Sequence, residues 1–402
     1  MSSLDSVDRL RLATSGSALA LRQAGLVEEQ LGSRRLSVEL VTVETTGDQV
    51  RDELIHRLGK TGAFVRSLDE KVLDGELDAA VHSMKDMPTD GPPELVVAGV
   101  PERAAAGDVL VTPDGRSLDE LPEGATVGTS SLRRGAQLLV ARPDLTIEPL
   151  RGNVDTRVEK LLAPSRQREH QRRMEAEAED GNEAGAGDGD GDAAGDEPDF
   201  DRTVEEWFDD RSEIERRSLE RQVDAEYDAI VLAEVGLERS GLLHHVPHQR
   251  LPPETFVPAP GQGALAVTAQ AGDLVEAVRS VLDHPHTRVE TTVERTVLET
   301  LGGGCVAPVG IHAVLQGSVV RTTVRVLDRE GEEEVRATRE LPVERHAAAA
   351  HAFATDLADR GAADIIERAR RDADTEPGAT RAETDDETPE RDGTPDSDGS
   401  DS

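Results

Sequence analysis

Short apolar runs alternate with amphipathic helical stretches from residue 9 to about residue 162, and this alternation limits the possible folds more than any other feature of the chain. Residues 9–14 read as a strand. Ser17 then stands where an N-cap precedes a helix over Ala18 to Gln30, with Leu19, Ala20, Gln23 and Leu26 at helical spacing. Residues 37–43 alternate as a strand, and Phe64 to Leu73 form a helix with Phe64, Leu68 and Val72 on one side. Residues 94–100 and 107–112 are further strands, with a connection over Asp114 to Leu121. Val127-Gly128-Thr129 closes a strand, and Ser130 opens a helix from Leu132 to Val140. Ile147 to Leu150 is a strand and Val154 to Leu162 a helix. The pattern predicts an α/β architecture of mainly parallel sheets covered by helices.

Residues 163–224 break the pattern. Arg166 to Glu179 is helix-prone and densely charged, and Gly181 to Asp199 has no core-forming residue, which predicts disorder. Val204, Trp207, Phe208, Ile214 and Leu219 fit one amphipathic helix, lying on its own domain or, alternatively, on a partner. Order is expected again from the strand Tyr227 to Leu232. Val257 to Gln270 gives a turn and a strand, and His286 to Leu301 a helix ended by Gly302-Gly303-Gly304. Residues 306–370 give two or three strands and a helix, and the acidic tail 373–402 reads as disordered. No internal repeat is visible.

The chain carries a formal net charge of −37, with 82 acidic against 45 basic residues in 402. Lysine occurs only at Lys60, Lys71, Lys85 and Lys160. Such an acidic, Lys-poor surface matches concentrated salt, where at about 1 M the Debye length is only about 3 Å and self-repulsion is screened. The acidic tail and insertion add to the charge. The balance argues against nucleic-acid backbone binding, which needs a basic face. The single cysteine, Cys305, allows no intrachain disulfide and no cysteine cluster for zinc, so no metal is expected. The N-terminal residues lack a basic start and an apolar core, and no apolar run approaches the roughly 18 residues of a membrane span. A soluble, cytoplasmic protein without a membrane partner is expected.

Chemistry concentrates at predicted strand ends. Leu77 to Val81 alternates as a strand and runs into His82-Ser83-Met84-Lys85-Asp86-Met87-Pro88, which places a cation and a carboxylate side by side at the edge of a sheet. Alone, such a pair is more often a surface ion pair. Ser130-Ser131-Leu132-Arg133-Arg134 lies at a helix N-terminus, where free N–H groups and the helix dipole favour anions. Arg151-Gly152-Asn153-Val154-Asp155-Thr156-Arg157 repeats the theme, with Gly152 permitting a tight turn. Arginine forks pair bidentately with carboxylates or phosphates, so several of them converging suggest a ligand with several anionic groups. The alternative is that they make salt bridges to Asp155 or Glu159. No Gly-rich nucleotide-binding run comes after a strand. Cys305, after three glycines, could extend a nucleophilic thiol into a cavity or be a small buried apolar residue.

Seven segments, in order, resemble the porphobilinogen deaminase family. They are Arg11 to Ala24, Val81 to Pro88, Val127 to Arg134, Leu150 to Arg157, Tyr227 to Ala233, Pro258 to Ala264 and Leu301 to Cys305. The family joins four porphobilinogen units head to tail with loss of ammonia, then releases the linear tetrapyrrole by hydrolysis. It builds on a dipyrromethane cofactor carried as a thioether. The resemblance implies that Cys305 is the attachment point. It implies that Asp86 is the catalytic carboxylate, binding pyrrole N–H groups and stabilising the azafulvenium cation left as ammonia departs. It implies that Lys85, Ser131, Arg133, Arg134, Arg151, Arg157 and Arg239 hold acetate and propionate groups. Ser17, Gln23, Lys60, Phe64, Thr129, Ser130, Gly152, Asn153 and Gln262 fall on further cofactor- and substrate-binding positions. Two departures stand out. Ser15 occupies a position where the family usually carries Arg. Thr61-Gly62 stands in place of a usual Lys-Gly, with Lys60 one place earlier and Arg57 upstream.

The implied fold has three domains. Residues 9–104 plus 258–276 form the first and 108–254 the second, and these two resemble type II periplasmic-binding-protein clamshell domains. The second includes an acidic, largely disordered insertion over about 163–224. Residues 284–370 form a small α+β third domain carrying Cys305. The expected partners are porphobilinogen and water, with the chain a monomer. The competing reading is a non-catalytic clamshell that binds or senses a multi-carboxylate ligand, but such a protein has no use for Cys305.

Overall fold

The computed structural model describes residues 9–32, 37–43, 61–183, 200–303 and 307–375, and only the backbone of 61–64, 180–183 and 373–375. Strands β1 (Arg9–Ser15), β2 (Ser37–Val43), β3 (Ala79–Ser83) and β4 (Leu95–Gly99) begin a first sheet. The chain then crosses to a second sheet, made by β5 (Asp108–Val111), β6 (Thr126–Gly128), β7 (Thr146–Glu148), β8 (Ala229–Ala233) and β9 (His248–Leu251). It crosses back as β10 (Leu265–Gln270) to complete the first. The two orders are β2-β1-β3-β10-β4 and β7-β6-β8-β5-β9, so in each sheet the strand that arrives by a crossover is inserted fourth. A third sheet, β11 (Val309–Gln316), β12 (Val319–Leu327) and β13 (Glu334–Pro342), is antiparallel throughout.

The expectation of mainly parallel sheets needs correction. β1 runs parallel to β2 and β3, and β6 parallel to β7 and β8. The inserted strands β10 and β5 run antiparallel to both their neighbours. The α/β class holds, with mixed sheets, because a strand that enters from the other unit need not take the right-handed helical crossover that makes neighbours parallel.

Period-2 alternation places apolar side chains on both faces of each five-stranded sheet. In β5, Val109 and Val111 join Val158, Leu161 and Leu237 on one side, while Leu110 joins Val127 and Leu138 on the other. In the first sheet Leu10 and Leu12 pack with Ala24, Val27 and Val278, and Ala13 and Ala80 with Leu68 and Val72. Burying each such Leu or Val contributes about 1.5–3 kcal/mol. The helix Ala18–Leu31 is capped by Ser17 as expected, but its buried face is Ala24, Val27 and Leu31, and Leu26 is 42% exposed. The small Ala24 lets the helix settle on the sheet, which turns the leucine stripe outward. Phe64 lies in the helix Thr61–Leu73, and its side chain lies outside the described residues.

The region 163–224 departs most from expectation. Residues 163–183 continue the helix Val154–Glu183 through Pro164, and the single expected amphipathic helix is two, Val204–Asp209 and Glu213–Leu219. Ser212 makes a capping box with Glu215 that restarts the second. Trp207 is 2% exposed and donates from Nε1 to Glu169 Oε1 at 2.9 Å, and Ile214 enters the core of its own unit. Charges are matched across these helices, Arg166 with Glu215 at 2.8 Å and Arg217 with the buried Glu159 at 2.5 Å. Their order therefore comes from ion-pair networks around a few apolar residues rather than from a broad apolar face. Residues 184–199 and the tail beyond 375 lie outside the described residues.

The third unit folds around Phe353, which is fully buried, with the helices Pro285–Thr300, His346–Leu357 and Ala363–Thr375 on its sheet. The last two turn at Gly361 (φ 102°), so this unit has one helix more than expected. Among the described residues no helix is long and apolar enough to cross a membrane.

Candidate active site at the facing sheet edges

Parallel register brings the predicted segments to the same edge of each sheet. Leu12 pairs with Ala79 and Ala13 with Ala80, so the chain leaves β1 at Ser15 level with the end of β3. There the backbone turns through the single 3₁₀ turn Met84–Asp86. Asp86 is exposed, and its carboxylate makes no hydrogen bond or close ion pair among the described residues. Lys85 is also reached by solvent. The neighbouring Asp86 favours its charged form, but burial and the cations Arg134 and Arg157 outweigh this and lower its pKa. A side chain open to water yet desolvated and crowded by cations from the second sheet belongs on the wall of a cleft between the two sheets.

The facing wall is made by the loops and helix starts at the ends of β6 and β7. Ser131, not Ser130, caps the helix Leu132–Ala141, its Oγ accepting the Arg134 N–H at 3.4 Å. Ser130 Oγ donates to the Leu150 carbonyl, and Thr129 Oγ1 accepts the Ser131 N–H at 3.2 Å. These three hydroxyls brace the loops. Gly152 takes φ 113°, and a Cβ there would lie 2.6 Å from Thr156 Cγ2. The turn lets Arg157 donate from Nε to the Gly152 carbonyl at 2.8 Å. Burial, together with Arg134, lowers the Arg157 pKa to about 10. Arg151 is half-buried, and its Nη1 is buried without a hydrogen-bond partner among the described residues. Asn153 is exposed beside it, its carbonyl accepting the Arg157 N–H.

Arg133 and Arg134 are engaged differently, by a residue that sequence reasoning missed. Asp108, 1% exposed at the start of β5, accepts from Arg133 Nη1 at 2.8 Å and from Arg134 Nη2 at 2.8 Å. It also accepts from Gln262 Nε2 at 2.9 Å. Burial alone would raise the Asp108 carboxyl, but the two guanidinium charges and their hydrogen bonds hold it well below the usual carboxylate range. The alternative of salt bridges to Asp155 or Glu159 does not occur for these arginines. Glu159 pairs with Arg217 and Arg221, and Asp155 with Arg217. Two guanidiniums share one carboxylate at Asp108, so the wall keeps a net positive charge.

Gln262 and Arg239 sit at the crossovers. Gln262 Nε2 also donates to the Ala106 carbonyl at 2.5 Å, and Arg239 Nη2 to the Gly263 carbonyl at 3.0 Å. Gly263 (φ 89°) has no room for a side chain, since a Cβ would lie 2.5 Å from the Ala104 carbonyl oxygen of the other crossover. Ser17 serves as an N-cap and Gln23 is half-buried on the same helix. Arg22 of that helix donates to the Arg239 carbonyl at 3.1 Å and so bridges the two units. Lys60 and Cys305 lie outside the described residues.

Among the described residues the geometry assembles a carboxylate with no hydrogen bond or close ion pair at one sheet edge, opposite several under-neutralised cations at the other. Comparison with known proteins gives the same chemistry a lineage. The family model "Porphobilinogen deaminase, dipyromethane cofactor binding domain" matches residues 10–169 and 206–277. The model "Porphobilinogen deaminase, C-terminal domain" matches 289–359. A protein of Halobacterium salinarum named "Probable porphobilinogen deaminase" is 54% identical, over 92% of this chain and 100% of that one. The "Porphobilinogen deaminase" of Desulforudis audaxviator is 37% identical over 89% and 97%. A "Probable porphobilinogen deaminase" of Methanococcoides burtonii is 36% identical over 89% and 96%. The chain belongs to the porphobilinogen deaminase family.

Proposed function

We infer that this chain is a hydroxymethylbilane synthase, which condenses four porphobilinogen molecules with release of ammonia and hydrolyses the product free. The observation that carries the site reading is the cation cluster with too few anions: Arg151 Nη1 buried without a hydrogen-bond partner among the described residues, and Lys85, despite Asp86, and Arg157 both lowered by burial and by the neighbouring charge of Arg134. A donor set of that kind fits dipyrromethane and the growing chain, whose acetate and propionate groups supply the missing negative charge. The cofactor, tethered through a thioether on Cys305, supplies the pyrrole carbon on which the chain is built.

The residues divide the work. Arg151, Arg157 and Lys85 bind carboxylates, with Arg133, Arg134, Arg239, Ser131 and Gln262 supporting them. Asp86, with no competing hydrogen bond among the described residues, accepts pyrrole N–H groups and stabilises the positive charge that develops on the substrate as ammonia leaves. It also takes and returns protons at the leaving amine and the attacked carbon. Three domains with the boundaries 9–104 plus 258–276, 108–254 and 284–370 are supported by the three sheets and by the two crossovers between the first pair. The acidic balance and the composition support a cytoplasmic enzyme acting on a small molecule rather than on nucleic acid.

Intact mass tests the cofactor assignment. The purified protein carries the extra mass of a dipyrromethane, and Cys305→Ser loses it. An unmodified thiol in a protein that still makes the tetrapyrrole would overturn the reading.

Ser15 supplies a second test. Extending the β1–β3 register by two residues sets Ser15 opposite His82, on the strand that runs into Lys85. An arginine there would add a fork at the cleft edge. Ser15→Arg lowers KM about three- to tenfold, the size of one charge-assisted contact partly open to water. A KM that stays or rises in steady-state assays refutes the placement.

A further inference from the structure

Glu294 and Arg295 are neighbours on the helix Pro285–Thr300 of the third unit, yet they hold opposite sides of the turn that carries Asp86. Glu294 is fully buried. Its Oε2 accepts the Gly261 N–H at 2.7 Å, its Oε1 the Ala313 N–H at 2.8 Å, and both oxygens bind Arg103. The Gly261 turn lies directly on Met84 and Lys85: a Cβ at Gly261 would sit 3.0 Å from Met84 Cγ and 3.2 Å from Lys85 N. Met84 N–H donates to the Ala264 carbonyl of the same turn at 3.0 Å. On the far side Arg295 donates from Nη2 to the Pro88 carbonyl at 2.6 Å and from Nη1 to the Met87 carbonyl at 3.3 Å. The three residues Met84–Asp86 are thus gripped before and after by one helix. That helix ends at Thr300, five residues before Cys305 in the sequence, with Leu301 as its C-cap.

We propose that Arg295, backed by Glu294, is a positioning residue for the condensation, fixing the Asp86 turn to the unit that carries the cofactor cysteine. The inference rests on the assignments of Asp86 and Cys305 above. Each condensation needs the carboxylate in register with the reacting pyrrole, and those two groups come from different units. A guanidinium that binds two successive carbonyls fixes both the position and the tilt of the turn. A lysine could reach only one carbonyl at a time. Arg295 touches no reacting atom in this scheme.

The experiment compares holoenzymes with Arg295→Gln and Arg295→Lys, alongside Asp86→Ala. Arg295→Gln retains the cofactor mass, and its kcat falls ten- to hundredfold with KM within about twofold, the scale expected for a displacement near 1 Å. Amide exchange over residues 84–90 quickens at least about tenfold while that over 309–327 is unchanged. Arg295→Lys recovers part of kcat. Unchanged kcat in Arg295→Gln overturns the proposal. So does a raised KM at constant kcat, which would make Arg295 a substrate contact. A uniform rise in exchange, or failure of both variants to fold, would make it a general structural residue and overturn the proposal equally. Activity in Asp86→Ala would sink the assignment of Asp86 instead, so the two failures are distinguishable.

Discussion

Asp86→Ala lowers single-turnover condensation about 10³- to 10⁴-fold in a holoprotein whose fold and cofactor content match the parent. Asp86 is exposed, and its carboxylate has no hydrogen bond or close ion pair among the described residues, so removing it breaks no hydrogen bond there and takes one favourable charge from Lys85, which is itself reached by solvent. Substitutions of that kind usually change stability by no more than about 0.5 kcal/mol. The turn Met84–Asp86 is held through backbone groups, by the Ala264 carbonyl on one side and by Arg295 on the other, and the substitution leaves these intact. What is lost is the only negative charge on the turn, opposite a wall of under-neutralised cations. In the proposed reaction that wall would bind carboxylates but could not stabilise the cation that forms as ammonia leaves. Asp86→Glu keeps the charge and shifts it by one methylene, and a misplacement near 1 Å costs about 10²-fold. Quenched-flow assays with mass analysis of the enzyme-bound chain measure both. An alanine variant that condenses at more than about a tenth of the parental rate rules out Asp86 as the stabilising group.

The range of each interaction decides how much of the fold and site is legible in the sequence. The Val81 to Pro88 segment can be read locally, because a period-2 run ending in a turn is a property of neighbouring residues. The same is true of Ser17 as a cap and of Gly152 as a turn. Asp108 cannot be read, because its partners Arg133 and Gln262 are 25 and 154 residues away. In the sequence it is one more acid in a chain with 82. Glu294 and Arg295 read as an ordinary charged patch on a helix, although Glu294 is fully buried. The charged helices of 163–224 escape composition for a related reason. Composition measures apolar content, whereas their order comes from pairings such as Arg166 with Glu215. The mixed strand directions stay hidden because β5 and β10 look like any other apolar run, and only the crossovers reveal which sheet they join.

Asp108→Asn destabilises the second unit by about 3–5 kcal/mol at neutral pH, the cost of leaving a buried charge without its counter-ion. Asparagine has nearly the same shape and can still accept from Gln262, so packing is preserved. It offers no negative charge to Arg133 and Arg134, which are 5% and 8% exposed. Burial already lowers the Arg133 pKa, Asp108 opposing the shift, but a guanidinium does not release its proton near neutrality. Two cations would then face each other in a dry site. The single Trp207 lies in this unit, so its fluorescence reports the unit's own unfolding in a denaturant titration. The midpoint falls while the slope stays constant. The pH dependence separates charge from shape. Because the folded Asp108 carboxyl is held below its unfolded value, its contribution is complete above the ordinary carboxylate pKa, about 3.9, and is lost as the pH falls below it. The gap between parent and variant therefore stays constant from about pH 5 to pH 8 and narrows in stronger acid. A variant as stable as the parent at pH 7, or a gap that does not close on acidification, would mean that Arg133 and Arg134 do not depend on Asp108 and that their charges are balanced by other groups.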